Sequence, residues 1–188
     1  INDFAGSRRL LAHTVITPKQ PGWMEEVDKA IAVYKPDSWK AYTIGDPLAP
    51  SKYPWRLDDE QVMYKYYEKA ARAGINIICI HKGLFFPWLP EELGRCADVG
   101  RAAALYPDMN FIIYHSGYEI GSKEGPYDPT KGARGIDNLI KSVQDNGIGR
   151  NANVYAELGT TWRFVMRDPT TAAHLLGKLL KHIGEDNV

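Results

Sequence analysis

Two short apolar stretches of this chain, Ile75 to His81 and Phe111 to His115, each end on a histidine. Runs this apolar are typical of strands that are covered on both faces, as in a parallel sheet flanked by helices. In folds of that class, the carboxyl ends of the strands and the loops that leave them carry the chemistry. The pattern therefore predicts an α/β chain in which a histidine ends each of two strands.

Two further segments, 41–45 and 155–159, are also strand-like and finish in a polar residue and a glycine. The four glycines that close these segments are 38, 34 and 42 residues apart. This spacing is close to the thirty or more residues of a strand-helix-strand unit, so it predicts serial βα units. A polar residue stands two positions before each of these glycines. The pattern therefore predicts four polar side chains at the same level along neighbouring strands: Thr43, His81, His115 and Glu157.

The remaining pattern places helices between the strands. Strands are expected at 10–16, 39–44, 75–81, 111–115 and 153–158, and helices at 23–34, 58–73, 90–106, 136–143 and 168–183. The loop after His81 carries Phe85, Phe86 and Trp88, and it is expected either to wall a pocket or merely to cap the sheet. The loop 116–134 is long enough to suggest a function.

Composition excludes several classes of protein. With 23 basic and 23 acidic residues the formal charge is zero and no basic cluster stands out, so neither a nucleic-acid nor a membrane partner is expected. No apolar run approaches the roughly 20 residues that span a bilayer. We expect a single cytoplasmic domain over 1–188 with reduced, buried Cys79 and Cys96, and a true N-terminus upstream of Ile1.

His81 and His115 are the strongest candidates for chemistry. Neighbouring parallel strands lie about 4.8 Å apart, so two strand-end imidazoles can share a metal ion or a water molecule. Neutral imidazole binds zinc and related metals, but catalytic zinc normally has three protein ligands plus water. The alternative is a pair of hydrogen-bonded structural histidines. His13, in the middle of the first strand, is expected to be structural.

Three other polar residues are candidates for the same site. Glu157 could orient a histidine, bind a metal or contact substrate, and its alternative is a salt bridge with a lysine or arginine. Lys40 and Tyr42 alternate along one strand with their neighbours, so both point to the same face. If that face is the inner one, Lys40 could bind an anionic substrate. The alternative is a surface lysine.

Four segments together resemble a known family: Trp39-Lys-Ala-Tyr-Thr-Ile-Gly45, Ile80-His-Lys-Gly83, Ile113-Tyr-His-Ser-Gly117 and Val154-Tyr-Ala-Glu-Leu-Gly159. They are similar to the later strands of the amidohydrolase-2 group of the metal-dependent amidohydrolase superfamily, which includes aminocarboxymuconate-semialdehyde decarboxylase. The resemblance runs from about residue 10 onward. It implies a distorted (β/α)8 TIM barrel in which His81 is the strand-five metal ligand. His115 matches the strand-six histidine, which binds the metal or deprotonates its water.

The chain departs from that family in two places. No two histidines here are two residues apart, so the first-strand His-x-His pair is absent. The strand-eight aspartate is also absent, since Asp186 falls in the turn after the last helix. The resemblance therefore implies a truncated barrel domain with strands three to seven, whose exposed edges are covered by missing segments or by oligomerisation.

The implied activity is hydrolysis of C–N or C–O bonds, or non-oxidative decarboxylation, of a small molecule by metal-activated water. The resemblance implies a divalent metal, zinc above all, with an incomplete ligand set that leaves this chain inactive alone. The alternative is a non-catalytic, open-sheet α/β fragment or binding module that needs a partner. An unrelated doubly wound enzyme is a third interpretation, but the sequence has no glycine-rich nucleotide motif.

Overall fold

The computed structural model describes residues 6, 10–45, 52–84, 90–132 and 134–188. Five parallel strands form one sheet in the order β1-β2-β3-β4-β5, so each strand pairs with the next along the chain. Serial parallel order of this kind is the arrangement of a TIM barrel. The strands are β1 (His13–Val15), β2 (Ser38–Tyr42), β3 (Ile77–His81), β4 (Asn110–Tyr114) and β5 (Val154–Ala156).

Seven α-helices connect or follow the strands in the described part of the chain. They are α1 (Trp23–Lys29), which continues as a π-helical turn (Ala30–Tyr34), α2 (Glu60–Arg72), α3 (Glu91–Gly94), α4 (Val99–Leu105), α5 (Gly135–Asp145), α6 (Gly159–Val165) and α7 (Pro169–His182). Short 3-10 turns cover His115–Gly117, Pro129–Lys131 and Glu185–Asn187. The predicted α/β class and the serial βα order are confirmed.

One face of the sheet is the core. Its side chains are at most 2% exposed: Trp39, Ala41, Ile78, Ile80, Phe111, Ile113, Val154 and Ala156. Helix α2 packs on this face with a stripe of buried residues at helical spacing. Tyr66 meets the Trp39 ring edge-on at 5.6 Å, and Tyr67 meets Phe111 at 5.6 Å. Each fully buried side chain of this size stabilises the fold by about 1.5–3 kcal/mol.

Side chains alternate along each strand, so the residues between the core positions lie on the other face of the sheet. Most of these residues are polar. We call this side the polar face and define it by the strand residues His13, Lys40, Tyr42, Cys79, His81, Ile112, Tyr114 and Tyr155. The register aligns Tyr42, His81 and Tyr114 in one row. One pleat toward the amino ends of the strands lies a second row, which includes Lys40 and Cys79.

Two predicted elements differ from the structure. The helix expected over 90–106 is broken into α3 and α4, with extended backbone at Arg95. At the break, the side-chain amide oxygen of Asn138 accepts a hydrogen bond from the backbone N–H of Cys96 at 2.6 Å, which replaces a helical bond. Helix α6 was not predicted, and it begins directly after the fifth strand.

A buried ion pair fixes the loop that follows His81. Lys82 is fully buried, and its Nζ lies 2.9 Å from Oδ1 of Asp98 and donates to Oδ2 at 3.0 Å. It also donates to the carbonyl of Leu93 at 2.9 Å, while the backbone N–H of Leu57 donates to Asp98 at 2.9 Å. These contacts tie three loops together beneath the carboxyl end of β3.

Several predictions from the sequence concern other parts of the molecule. Cys79 and Cys96 are free and buried, as predicted. No helix of the described residues is long and apolar enough to cross a membrane. Phe85, Phe86 and Trp88, the predicted pocket wall, lie outside the described residues. The single domain over 1–188 stays a prediction.

Candidate functional site

The structure brings His81 and His115 together at the carboxyl end of the sheet. His81 is the last residue of β3, and His115 follows the last residue of β4. Their ring centroids lie 4.7 Å apart with the rings nearly perpendicular, at 76°. The Tyr42 ring packs on the other side of His81 at 5.4 Å. The two imidazoles are therefore in contact with each other, and the Tyr42 ring packs beside them.

The prediction that four polar side chains lie at one height is wrong. The register places Tyr42 and Tyr114 beside His81, so His115 and Thr43 lie one residue further on. The Thr43 hydroxyl donates to the carbonyl of Leu93 at 2.6 Å and is not part of the polar face. His115 reaches His81 because its backbone turns into the left-handed region, with φ 65°. This conformation is uncommon and costly for a residue other than glycine.

Glu157 holds this turn in place. Its Oε2 accepts the backbone N–H of His115 at 3.0 Å and lies 3.9 Å from the ring Nδ1. The Thr161 hydroxyl donates to the His115 carbonyl at 3.0 Å, and the Ser116 hydroxyl donates to the Glu157 carbonyl at 2.9 Å. Among the described residues, no lysine or arginine forms a salt bridge with Glu157. Glu157 therefore contacts His115, and its role as an orienting group, a metal ligand or a substrate contact stays a prediction.

Both histidines are biased toward the neutral form. Burial is the main cause that lowers the pKa of His81 to about 3, helped by the neighbouring His115 and Lys40. Burial also lowers the pKa of His115, while the Glu157 carboxylate raises it and Lys40 lowers it further. The buried Nδ1 of His115 has no hydrogen-bond partner in the described structure. Two imidazoles that favour the neutral form therefore lie side by side, and one has a ring nitrogen without a hydrogen-bond partner among the described residues.

The low pKa of His81 predicts acid sensitivity of the fold. The unfolded imidazole titrates near 6.5, so between about pH 6 and pH 4 the unfolded chain binds a proton that the folded chain does not. Stability is therefore complete above pH 6.5 and falls with pH, by at most about 1.4 kcal/mol per pH unit from this group. Urea unfolding at pH 7, 6, 5 and 4.5 measures the slope.

The matched control for this prediction is His81→Gln. Its slope over the same pH range should be shallower by up to about 1.4 kcal/mol per unit, since His115 and His182 titrate in both proteins. Equal slopes for the two proteins would show that His81 is not held neutral by its surroundings.

Lys40 belongs to the polar face and is not a surface lysine. It is 9% exposed, and its Nζ lies 4.3 Å from the ring centroids of both Tyr42 and Tyr114. Burial lowers its pKa to about 8, against the effects of Cys79 and Glu157, which raise it. Of the two interpretations left open for Lys40, the surface lysine is therefore wrong, and the binding of an anionic substrate stays a prediction.

His13 and Tyr114 also lie on the polar face, and the sequence pattern did not single out either of them. His13 lies at the start of β1, where its Nδ1 is 2.6 Å from the Ser38 hydroxyl and its Nε2 is 3.4 Å from the Tyr114 hydroxyl. His13 is therefore a polar-face residue. Tyr114 precedes His115 in the sequence, but only the observed register shows that it is the residue beside His81. In the same way, only the register of β1 against β2 shows that His13 lies on this face.

A cavity of about 300 Å³ adjoins the site at the carboxyl ends of β1 and β2. Its lining includes Val15, Thr17, Gln20, Tyr42 and Trp55. Tyr42 is thus shared between this cavity and the wall beside His81. A small molecule bound there would contact Tyr42, whose ring packs on His81.

The described residues hold no group of three or more histidine, cysteine, aspartate or glutamate side chains arranged to bind a metal. Two histidines alone fall short of the three protein ligands that catalytic zinc normally has. Asp186, which the sequence pattern excludes as the missing aspartate, accepts a hydrogen bond from Asn151 at 3.2 Å in the final turn. A complete metal centre would need ligands from outside the described part.

Comparison with known proteins supports the fold and leaves the family open. No family model matches the chain, and no curated protein matches it. An uncharacterised TIM-barrel protein of Bordetella bronchiseptica superimposes with a TM-score of 0.53 at 12% identity, over 80% of this chain and 43% of that one. The chain has the fold of part of a TIM barrel. It spans less than half the length of that structure, and membership of the amidohydrolase-2 group stays a prediction.

Proposed function

We propose that this chain is the part of a metal-dependent, amidohydrolase-type barrel that contributes His81 and His115 to a divalent metal site. The observation that carries the proposal is the pair of neutral imidazoles with ring centroids 4.7 Å apart at the carboxyl ends of neighbouring strands. Active sites of TIM barrels lie at this end of the strands. The remaining ligands would come from other parts of the barrel.

The chemistry of the two histidines fits a metal. Zinc binds neutral imidazole, and burial lowers the pKa of both rings. The buried, unpartnered Nδ1 of His115 is a free donor atom for an ion. When bound, a zinc ion would lower the pKa of a water molecule toward about 7 and polarise the substrate.

The surrounding residues have roles that follow from their contacts. Glu157 and Thr161 fix the His115 backbone, which sets the direction of the ring. If His115 does not ligate the metal, its Nδ1 can accept a proton, and the Glu157 carboxylate 3.9 Å away stabilises the resulting imidazolium. The Tyr42 ring and the adjoining cavity provide a wall for a small substrate. Hydrolysis of a C–N or C–O bond and non-oxidative decarboxylation are the two reactions proposed.

Zinc binding to variants tests this proposal. With only two described ligands we expect weak binding, with a dissociation constant of about 0.1–1 mM by calorimetry. His81→Gln and His115→Gln should each abolish it, because neither imidazole alone holds the ion. His174→Gln, on helix α7, is the matched control and should bind as the wild type does. Binding that survives the loss of both site histidines would contradict the proposal.

A second candidate is a non-catalytic fragment or binding module that needs a covering partner. The edge strand β1 and the residues before it expose apolar side chains: Leu10 is 51%, Leu11 70% and Val15 58% exposed. Exposed edges of this kind favour association. No zinc binding at all, together with concentration-dependent self-association in sedimentation, would favour this candidate.

A further inference from the structure

Three lysines of the described chain are buried, and they differ in their partners. Lys82 pairs with Asp98, and Lys178 pairs with Glu124 and with Asp137. Lys40 is 9% exposed, and its Nζ donates to the carbonyl of Ala41 at 3.4 Å, but no described carboxylate forms an ion pair with it. A buried ammonium without a counter-ion is costly, so structural lysines are normally paired. Lys40 therefore differs from Lys82 and Lys178, which both form ion pairs.

The surroundings of Lys40 increase the share of its neutral amine. Its Nζ lies 4.3 Å from the ring centroids of Tyr42 and Tyr114, and burial lowers its pKa to about 8. The charged or titratable groups that influence it are Cys79 on β3 and Glu157 after β5. At pH 7 about one amine in ten is then unprotonated, against fewer than about one in a thousand for an ordinary lysine.

We propose that Lys40 is an imine-forming lysine, whose Nζ on the polar face condenses with the carbonyl group of a small aldehyde or ketone. Desolvated lysines are the usual source of such nucleophiles. The lone pair of Nζ adds to the carbonyl carbon, and a proton moves from nitrogen to the new alkoxide to give a carbinolamine. A C=N bond then forms as the C–O bond breaks, and the hydroxyl leaves as water with the second amine proton.

Proton transfer in the second step has a route on the same face. The Tyr114 ring centroid lies 4.3 Å from Nζ, so its phenol can donate a proton to the leaving hydroxyl and take back the second amine proton. The Tyr114 hydroxyl lies 3.4 Å from Nε2 of His13, and Nδ1 of that ring lies 2.6 Å from the Ser38 hydroxyl. His13 therefore contacts the phenol that passes the second amine proton to the leaving hydroxyl. No step needs a metal, so the inference does not depend on the proposed function.

Reductive alkylation tests the inference on the wild-type protein. The folded chain is treated at pH 7 with limiting acetaldehyde and cyanoborohydride, in the presence of EDTA, and ethylated lysines are quantified by peptide mass spectrometry. Acetaldehyde is neutral, so simple attraction of an anion to the ammonium plays no part. We expect Lys40 to be labelled at least about tenfold faster than the exposed Lys65, and the advantage to vanish in urea. Equal or slower labelling of Lys40 in the folded protein would overturn the inference.

A phenylalanine variant separates catalysed imine formation from mere accessibility. Tyr114→Phe keeps the ring beside Lys40 but removes the phenol proton, so the ratio of Lys40 to Lys65 labelling should fall severalfold. Tyr127→Phe, whose hydroxyl bonds Gln144 on another surface, is the matched control and should leave the ratio unchanged. An unchanged ratio in Tyr114→Phe would exclude the phenol as the proton donor. Chelation of metals throughout keeps either outcome separate from the zinc experiment.

Discussion

Replacement of Lys82 by methionine is expected to lower the free energy of unfolding by about 3–5 kcal/mol. The side chain is fully buried, and its ammonium neutralises Asp98, which is itself 2% exposed. Methionine fills a similar volume but leaves the Asp98 carboxylate buried with only the Leu57 backbone N–H as a partner. Denaturant unfolding at pH 7 measures the loss.

Two further variants show whether burial causes this effect. Arg72→Met removes an exposed pair with Glu68, at 3.1 Å, and should cost at most about 0.5 kcal/mol. Lys82→Met combined with Asp98→Leu removes both charges and should recover part of the stability. A loss for Lys82→Met as small as that for Arg72→Met would show that the pair is not buried as described.

Alanine at position 100 is expected to destabilise the fold by at least about 3 kcal/mol, at the upper end of overpacking substitutions. Gly100 lies where α4 crosses α5, and its backbone N–H donates to the Ser142 hydroxyl at 2.9 Å. A Cβ at this position would lie 1.9 Å from the Ser142 carbonyl oxygen, so the two helices would have to separate. Thermal or denaturant unfolding measures the loss.

The matched control is Gly177→Ala in the exposed part of α7. A Cβ there meets no atom within 4 Å, so alanine should stabilise the helix by about 0.5–1 kcal/mol. Opposite signs for the two substitutions are the expected result. A neutral or stabilising effect of alanine at position 100 would contradict the close crossing of the two helices.

Much of the sheet could be predicted from the sequence, because buried parallel strands are short apolar runs separated by helical patterns. The break between α3 and α4 could not. It depends on Asn138, which bonds the Cys96 backbone from 42 residues away. The spacing of apolar residues over 90–106 does not depend on that contact. The spacing therefore predicted one continuous helix.

The same distinction holds for the candidate site. The strand-end positions of His81 and His115 follow from apolar runs, and their closeness follows from strand spacing. The left-handed backbone of His115 could not be predicted, since it depends on the Glu157 and Thr161 side chains from the next unit. The placement of His13 on the polar face depends on the register of β1 against β2, which the sequence alone does not determine.

A zinc titration followed by nitrogen-15 NMR of the imidazoles shows whether the His81 and His115 rings form one binding site. We expect the ring nitrogens of both residues to shift together with one midpoint, before those of His13, His174 and His182. A shift at only one of the two rings, or first at any of the other three histidines, would show that the pair does not form one site.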